Sequence, residues 1–530
     1  MPLPSPDRFE EYARKGVELV LRVIGEAPEQ RGARALRAQQ PPPTPGGPRV
    51  LIVSPRDWAE HVQYQSVLAH ALRQRGADVR FLTCGGGLEI CDRANTYEAP
   101  PMPCRSCTRY VQDSIDAHGF PRSSMRAGWE PTGGEGWPEL DEISAPSLVD
   151  VVDDDLPLGQ LVDIPLKWFL CAADIEGDPM AGQTSRAFLR SARRIARGVR
   201  AALDEHQPDV VLLLSGLFLF EGVAWALCRE RGVDVVTYER AFLKETLVFH
   251  RGTPAGFYDF SDDWVTCRRP LEPAEEQELD TYLARRREGQ AFDQFWRFEE
   301  TVVDQSDGRL AVLFTNLTWD TAVIGRDAAF DGIRAWIDTV VAAFAERPDH
   351  RLIIRVHPSE RHLPGKQTRD SLEDYVRGRF PELPPNVTLI GANDMTSSYP
   401  LMNAADVGLV YTSTTGMELA LSGTPVIVAG ATHYRGKGFT VDVDDVDDFL
   451  STLDEALDEP KQFAPDVERA REYAHFFFFR APVAAPGVVE PFPGLARLTV
   501  DDLEELAPGR DPSLDRICRG ILEGRSFVEP

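Results

Sequence analysis

The sequence predicts an α/β protein built from two doubly wound, Rossmann-like halves that face each other across a cleft. Three observations carry that reading. Short apolar runs bounded by turn residues alternate with amphipathic stretches of helical length, which is the βαβ signature of a parallel sheet. The alternation occurs twice, and a charged helical segment separates the two sets. A chain of 530 residues is long enough for two domains with extensions.

In chain order, residues 1–48 form an N-terminal extension. A rough apolar stripe at Phe9, Tyr12, Val17, Leu19, Val20 and Val23 predicts helix over 6–38, and "QQPPPTPGGP" (39–48) is a linker by composition. The first half, 49–304, opens with strand "RVLIVS" (49–54), helix "WAEHVQYQSVLAHALRQRG" and strand "DVRFLT" (78–83). Residues 85–160 read as an irregular Gly-, Pro- and Asp-rich insertion. The pattern resumes with a helix near 184–205, strand "DVVLLLSG" (209–216), a helix near 219–231, strand "VDVVTYE" (233–239) and a charged helix near 271–299. The second half, 305–480, carries strands at 309–317, 351–358, 387–391, 406–413 and 425–430, with "HFFFFR" (475–480) expected as a buried strand. "VDVDDVDDFL" (441–450) reads as a helix start, and the tail 481–530 is expected to pack back across both halves.

The composition is that of a globular protein, 43% hydrophobic and 27% charged. A net charge of −27 argues against nucleic acid as a partner, because phosphate neutralisation needs a basic face. It leaves room for a small anionic ligand in one local basic pocket. No apolar run approaches the roughly 20 residues of a membrane span. The N-terminus lacks the pattern of a signal peptide, so the expected location is cytoplasmic, compatible with peripheral attachment at the inner face of the membrane or in an assembly complex.

Chemistry is expected at the carboxyl edge of the second sheet. In "YTSTTGMELALSGTPVIVAG", Thr412, Ser413, Thr414 and Thr415 sit where a strand hands over to a helix. Such a cluster serves either as a helix N-cap or as a site where hydroxyls and unpaired backbone N–H groups meet a phosphate. Glu418, one turn in, would repel phosphate but suits ribose hydroxyls. His357 in "IIRVHPSER" follows a strand that Pro358 ends, placing an imidazole at the same edge as a phosphate donor, a general acid or a simple strand cap. His433, Arg435 and Lys437 in "THYRGKGFT" offer three cations around a glycine-rich turn.

Together these stretches resemble the C-terminal half of capsular-polysaccharide-biosynthesis proteins, a family of GT-B-type glycosyltransferases. The resemblance is carried by "LFTNLTWDTAVIGRDAAF" (313–330), "IIRVHPSE" (353–360), residues 397–428 and "HYRGKGFT" (433–440), and more weakly by "VVTYERAF" and "LDRICRGIL". It implies a GT-B-like fold and a sugar transferred from a nucleotide-activated donor, CMP- or NDP-linked, to a glycan or glycolipid acceptor. It places His357, Ser413 and Thr414 on the donor phosphate. A polyol-phosphate transferase, a nucleotide-sugar 2-epimerase and a non-catalytic export or assembly partner are the alternatives. Glu239 and Asp320, at strand ends of the two halves, are the carboxylates expected to face the cleft as base or nucleophile.

No catalytic cofactor is expected. Cys84, Cys91, Cys104 and Cys107, half of the eight cysteines, suit either a structural zinc or four reduced thiols. Asp153 and Asp155 match a D-x-D metal pattern that acidic loops also produce.

Overall fold

The computed structural model describes residues 28–99, 101–125, 137–288, 308–485, 487–492 and 494–529. Both α/β halves are present. The first sheet has seven strands in the order β13-β6-β5-β4-β1-β2-β3. Its members are β1 (Arg49–Val53), β2 (Asp78–Thr83), β3 (Arg122–Ser124), β4 (Val210–Leu214), β5 (Asp234–Arg240), β6 (Thr246–Arg251) and β13 (Val483–Ala484). The second has six strands, all parallel, in the order β12-β11-β10-β7-β8-β9. These are β7 (Leu310–Phe314), β8 (Arg351–Arg355), β9 (Val387–Ile390), β10 (Val407–Val410), β11 (Val426–Val428) and β12 (Val441–Asp442).

Central strands β4 and β7 are buried at every residue, because helices cover both faces of each sheet. That is why "VVLLL" and "LAVLF" are unbroken apolar runs rather than alternating ones. The helix after β1, α1 (Ala59–Gln74), and that after β10, α2 (Thr415–Leu421), both start at a carboxyl edge. Asp445 caps the helix Val446–Asp458 by accepting from the Asp448 N–H at 2.8 Å, as the acidic run predicts.

Three expectations are corrected. The 85–160 segment is not merely irregular: a helix spans Cys104–His118, and β3 extends the sheet by pairing with β2 in register Phe81↔Arg122. "HFFFFR" is no strand. The helix Val467–His475 continues as a π turn over Phe476–Arg480, whose wider winding sends Phe476, Phe477 and Phe478 into one aromatic cluster with Phe242, Phe260 and Trp264. This cluster joins the two halves. The tail packs chiefly on the first half: β13 pairs antiparallel with β6, and hairpin β14 (Val488–Phe492)–β15 (Leu495–Leu498) lies on α1. Predicted helix 6–27 and the end of the charged helix, beyond Arg287, fall largely outside the described residues, as do 289–307.

Candidate functional site

The carboxyl edge of the second sheet gathers loops from β7, β8, β10 and β11. His357 lies two residues beyond β8. Its backbone N–H donates to Thr315 Oγ1 at 2.9 Å, and its Nδ1 accepts from the Ser359 N–H at 3.2 Å. A ring whose Nδ1 accepts carries its proton on Nε2, so the outward atom is a hydrogen-bond donor. Burial, reinforced by the guanidinium of Arg355, lowers the imidazole to about 4. At neutral pH His357 therefore donates a hydrogen bond as a neutral ring; it holds no spare proton for acid catalysis. Arg355 itself is buried and binds the carbonyls of Gly391, Asp394 and Thr396, tying β8 to the loop after β9.

The loop after β10 sits alongside. The Thr412 N–H donates to Asn316 Oδ1 at 3.3 Å, while Thr412 Oγ1 is buried without a partner. Ser413 Oγ donates to Thr415 Oγ1 at 3.0 Å and accepts the Thr415 N–H at 3.2 Å. Thr414 precedes the helix in αR geometry and makes no side-chain cap. The hydroxyl cluster is thus not consumed in capping. Gly416 has no space for a side chain: a Cβ there would stand 2.2 Å from Tyr434 Oη. That close approach lets Tyr434 donate to the Ser413 carbonyl at 2.5 Å, which clips the turn after β11 onto the Ser/Thr loop.

The turn is no triple cation, and this corrects the sequence reading. His433 is neutral, lowered to about 3 by burial with Arg326 and Lys437 adding to it, and it stacks on Phe477 with centroids 4.0 Å apart. Its Nε2 and Thr432 Oγ1 are buried without partners. Arg435 turns inward to the carbonyls of Val428 and Val443 and to Asp444. Lys437 crosses to the first half, donating to Ser261 Oγ at 2.7 Å. Glu418 is likewise occupied. Its two oxygens accept from Arg286 at 2.5 Å and Tyr399 at 3.0 Å, so neither is free for ribose.

Glu239 and Asp320 face each other from opposite halves. Burial raises both carboxyls, and the charge of Asp320 adds to the upward push on Glu239. Asp320 Oδ1 accepts from Thr321 Oγ1 and the Ala322 N–H, each at 3.2 Å, and the Lys366 ammonium opposes its upward shift.

Sequence reasoning missed the charged lining of the first sheet's edge. Arg240, beside Glu239, donates to Glu60 and to Glu490, each at 2.9 Å. Burial and the neighbouring Glu490 raise Glu60 to about 8. Deeper in, Arg56 pairs with Glu221 at 2.5 Å and with Asp92 at 3.3 Å. The signal was available in "SPRDWAEH": four ionisable residues directly after an apolar strand. Glu490 had none, because only the folded tail brings it there.

The four cysteines line one small cavity of about 30 Å³ together with Leu88, Met102 and Phe220. Among the described residues no group of three or more His, Cys, Asp or Glu is disposed to hold a metal. Burial holds Cys84 near 11 and Cys107 near 12, so both stay protonated thiols. Asp153 is paired with Arg193 at 3.2 Å, and Asp154 and Asp155 form a positive-φ turn, so the D-x-D run is structural.

With this geometry in hand, the chain can be set beside known proteins: the model of "Capsule polysaccharide biosynthesis protein" matches residues 268–457, well under half of the chain. The matched stretch runs from before β7 through β12 and contains His357, the Ser/Thr loop and the 433–437 turn. No curated protein sequence matches the chain. Similar solved structures include the β-Kdo 2,7 transferase KpsC of Thermosulfurimonas dismutans, at 15% identity over 54% of this chain and 82% of that one, TM-score 0.34. They also include the UDP-GlcNAc 2-epimerase of Neisseria meningitidis bound to UDP-GlcNAc, at 12% identity over 81% and 96%, TM-score 0.26. A third is the sucrose-phosphate synthase of Thermosynechococcus elongatus, at 15% identity over 81% and 95%, TM-score 0.29. Among the described residues, no helix is long and apolar enough to cross a membrane.

Proposed function

We propose that the protein is a glycosyltransferase of capsule or surface polysaccharide assembly, taking a sugar from a nucleotide-activated donor to a glycan or glycolipid acceptor. The observation that carries this reading is the neutral donor set at the second sheet's edge. His357 Nε2–H, the Thr414 hydroxyl and the buried, unpartnered hydroxyls of Thr412 and Thr432 lie on the loops of that one edge. Such an arrangement suits the oxygens of a nucleotide phosphate, which need donors and tolerate no carboxylate. Across the cleft, Glu239 with its raised carboxyl is poised to take the proton of an acceptor hydroxyl.

In this scheme His357 steadies the charge that develops on the leaving phosphate by hydrogen bonding, without giving up a proton. Glu239 and Asp320 come from different halves, so sugar and acceptor meet only between them. Attachment to a membrane-bound assembly complex is part of the proposal. Incubating the protein with CMP-, UDP-, GDP- and CDP-linked sugars and following the released nucleotide tests it. Release that depends on an acceptor and on His357 is expected. A donor converted to its epimer without any acceptor would replace transfer by epimerisation.

A further inference from the structure

A pocket of about 470 Å³ lies along β6, one strand in from the edge of the first sheet, between β6, the segment 253–263 and residues 524–527. Apart from Ser261, which accepts from Lys437, its lining residues are not among those described for the cleft. Its wall carries the carboxylates of Asp259, Asp262 and Asp263. The cations nearby are committed elsewhere. Arg251 is paired with Asp234 and bound to the carbonyls of Gly520 and Ile521, and Arg525 points to Glu523. Lys437 compensates Asp259, whose carboxyl is lowered with help from Ser261 and Lys437. Lys437 acts on Asp262 as well, whereas Asp263 forms no ion pair among the described residues and accepts only from Ser526 Oγ at 3.4 Å. Burial raises Asp263 against that hydrogen bond, and the neighbouring Asp262 and Asp259 raise it further.

The lining is also built for more than a bare ion. His250 is only 7% exposed, rests on Phe260 with centroids 4.7 Å apart, and has its Nε2 without a partner. Phe249 and Phe527 stack at 5.2 Å and add an apolar wall. Ser261, Ser526 and Thr253 supply hydroxyls. Among the described residues, no three His, Cys, Asp or Glu side chains converge here. The remaining demand is for an ammonium group on a frame with hydroxyls and a C–H face, large enough to span the pocket.

We propose that this pocket binds a protonated amino sugar, its ammonium between Asp262 and Asp263 and its hydroxyls reaching His250 and the serines. The claim concerns binding alone and does not depend on the transfer reaction. Titration calorimetry of the full chain with glucosamine, N-acetylglucosamine and glucuronate tests it. Glucosamine is expected to bind saturably, N-acetylglucosamine about ten-fold more weakly or worse, and glucuronate not at all. Replacing Asp262→Asn with Asp263→Asn should remove that preference while nucleotide release from a sugar donor stays as in the wild type. If the double variant does not fold, the three-sugar comparison on the wild type decides alone. Equal binding of glucosamine and N-acetylglucosamine, or no glucosamine binding at millimolar concentration, overturns the proposal; spermidine binding as tightly as glucosamine overturns its sugar part.

Discussion

The two sheets present opposite kinds of carboxyl edge. The first is charged: Arg56 holds Glu221 and Asp92, and Arg240 holds Glu60 and Glu490, with Glu239 alongside. The second presents mainly neutral groups, the hydroxyls with a neutral His357 and a neutral His433, while Arg355 and Arg435 turn to carbonyls and Glu418 is held by Arg286. Folds of one class thus meet two chemical demands. A neutral donor set receives an anion without first having to release a counter-charge. Burial in a dry edge raises its carboxyls against the pull of the paired arginines, to where a proton can be exchanged at working pH.

The sharpest way to break this contrast is to unbalance the charged edge. Arg56→Ala leaves Glu221 and Asp92 buried without their cation, a loss of about 3–5 kcal/mol in stability. Urea unfolding should show it; a fall under about 1 kcal/mol would mean the triad is already relaxed by water. On the neutral edge, His357→Ala removes a donor and should lower turnover by roughly 100-fold with little change in unfolding. His357→Gln, which keeps an N–H near the Nε2 position, should recover part of it. A mutant with full turnover removes the histidine from the chemistry.

Smaller effects sharpen the contrast. Replacing Ser413 and Thr414 together by alanine should weaken nucleotide binding several-fold to about 100-fold, since backbone donors survive. A phosphate-free nucleoside should bind as before; equal losses for both would show that the loop only shapes the cleft. Tyr434→Phe removes the clip to the Ser413 carbonyl and should lower stability by about 1 kcal/mol, read as a modest shift in the thermal midpoint.

Buried histidines and buried carboxyls also give opposite pH slopes. Seven histidines, His61, His70, His118, His206, His250, His357 and His433, are held below the ordinary value. The unfolded chain binds more protons at these sites, so their contribution is lost as pH falls from about 6.5. Glu60, raised to about 8, and Glu221, raised to about 7, act the other way: they bind protons more tightly folded, and stability falls as pH rises from about 4.5 through those values. Thermal stability should therefore peak near pH 6.5. Glu60→Gln should flatten the alkaline limb only; an unchanged limb would show that Glu60 is ionised throughout.

Much of this was legible in the residues. Unbroken apolar strands and helical periodicity announced both sheets, and His-Pro after a strand fixed where His357 stands. Less legible was what each side chain would be bound to. Glu418, Arg435 and Lys437 stand at the right edge, but Arg286, the Val443 carbonyl and Ser261 claim them, and of those partners Arg286 and Ser261 are distant in sequence. "HFFFFR" failed for another reason. Four consecutive phenylalanines favour a strand by propensity, yet here they continue a helix whose π winding turns three of them to one side.

The return of the tail has a consequence for synthesis. Strand β13, which covers the outer edge of β6, and Glu490, which completes the Arg240 pairing, both follow the entire second half in the chain. A nascent first half emerging from the ribosome therefore exposes the open backbone of β6 and leaves Arg240 short of one carboxylate. It has to wait for the other half to be translated before its own sheet is closed. A fragment cut within 289–307 should accordingly be prone to association through β6, and a separately supplied tail peptide should quench it.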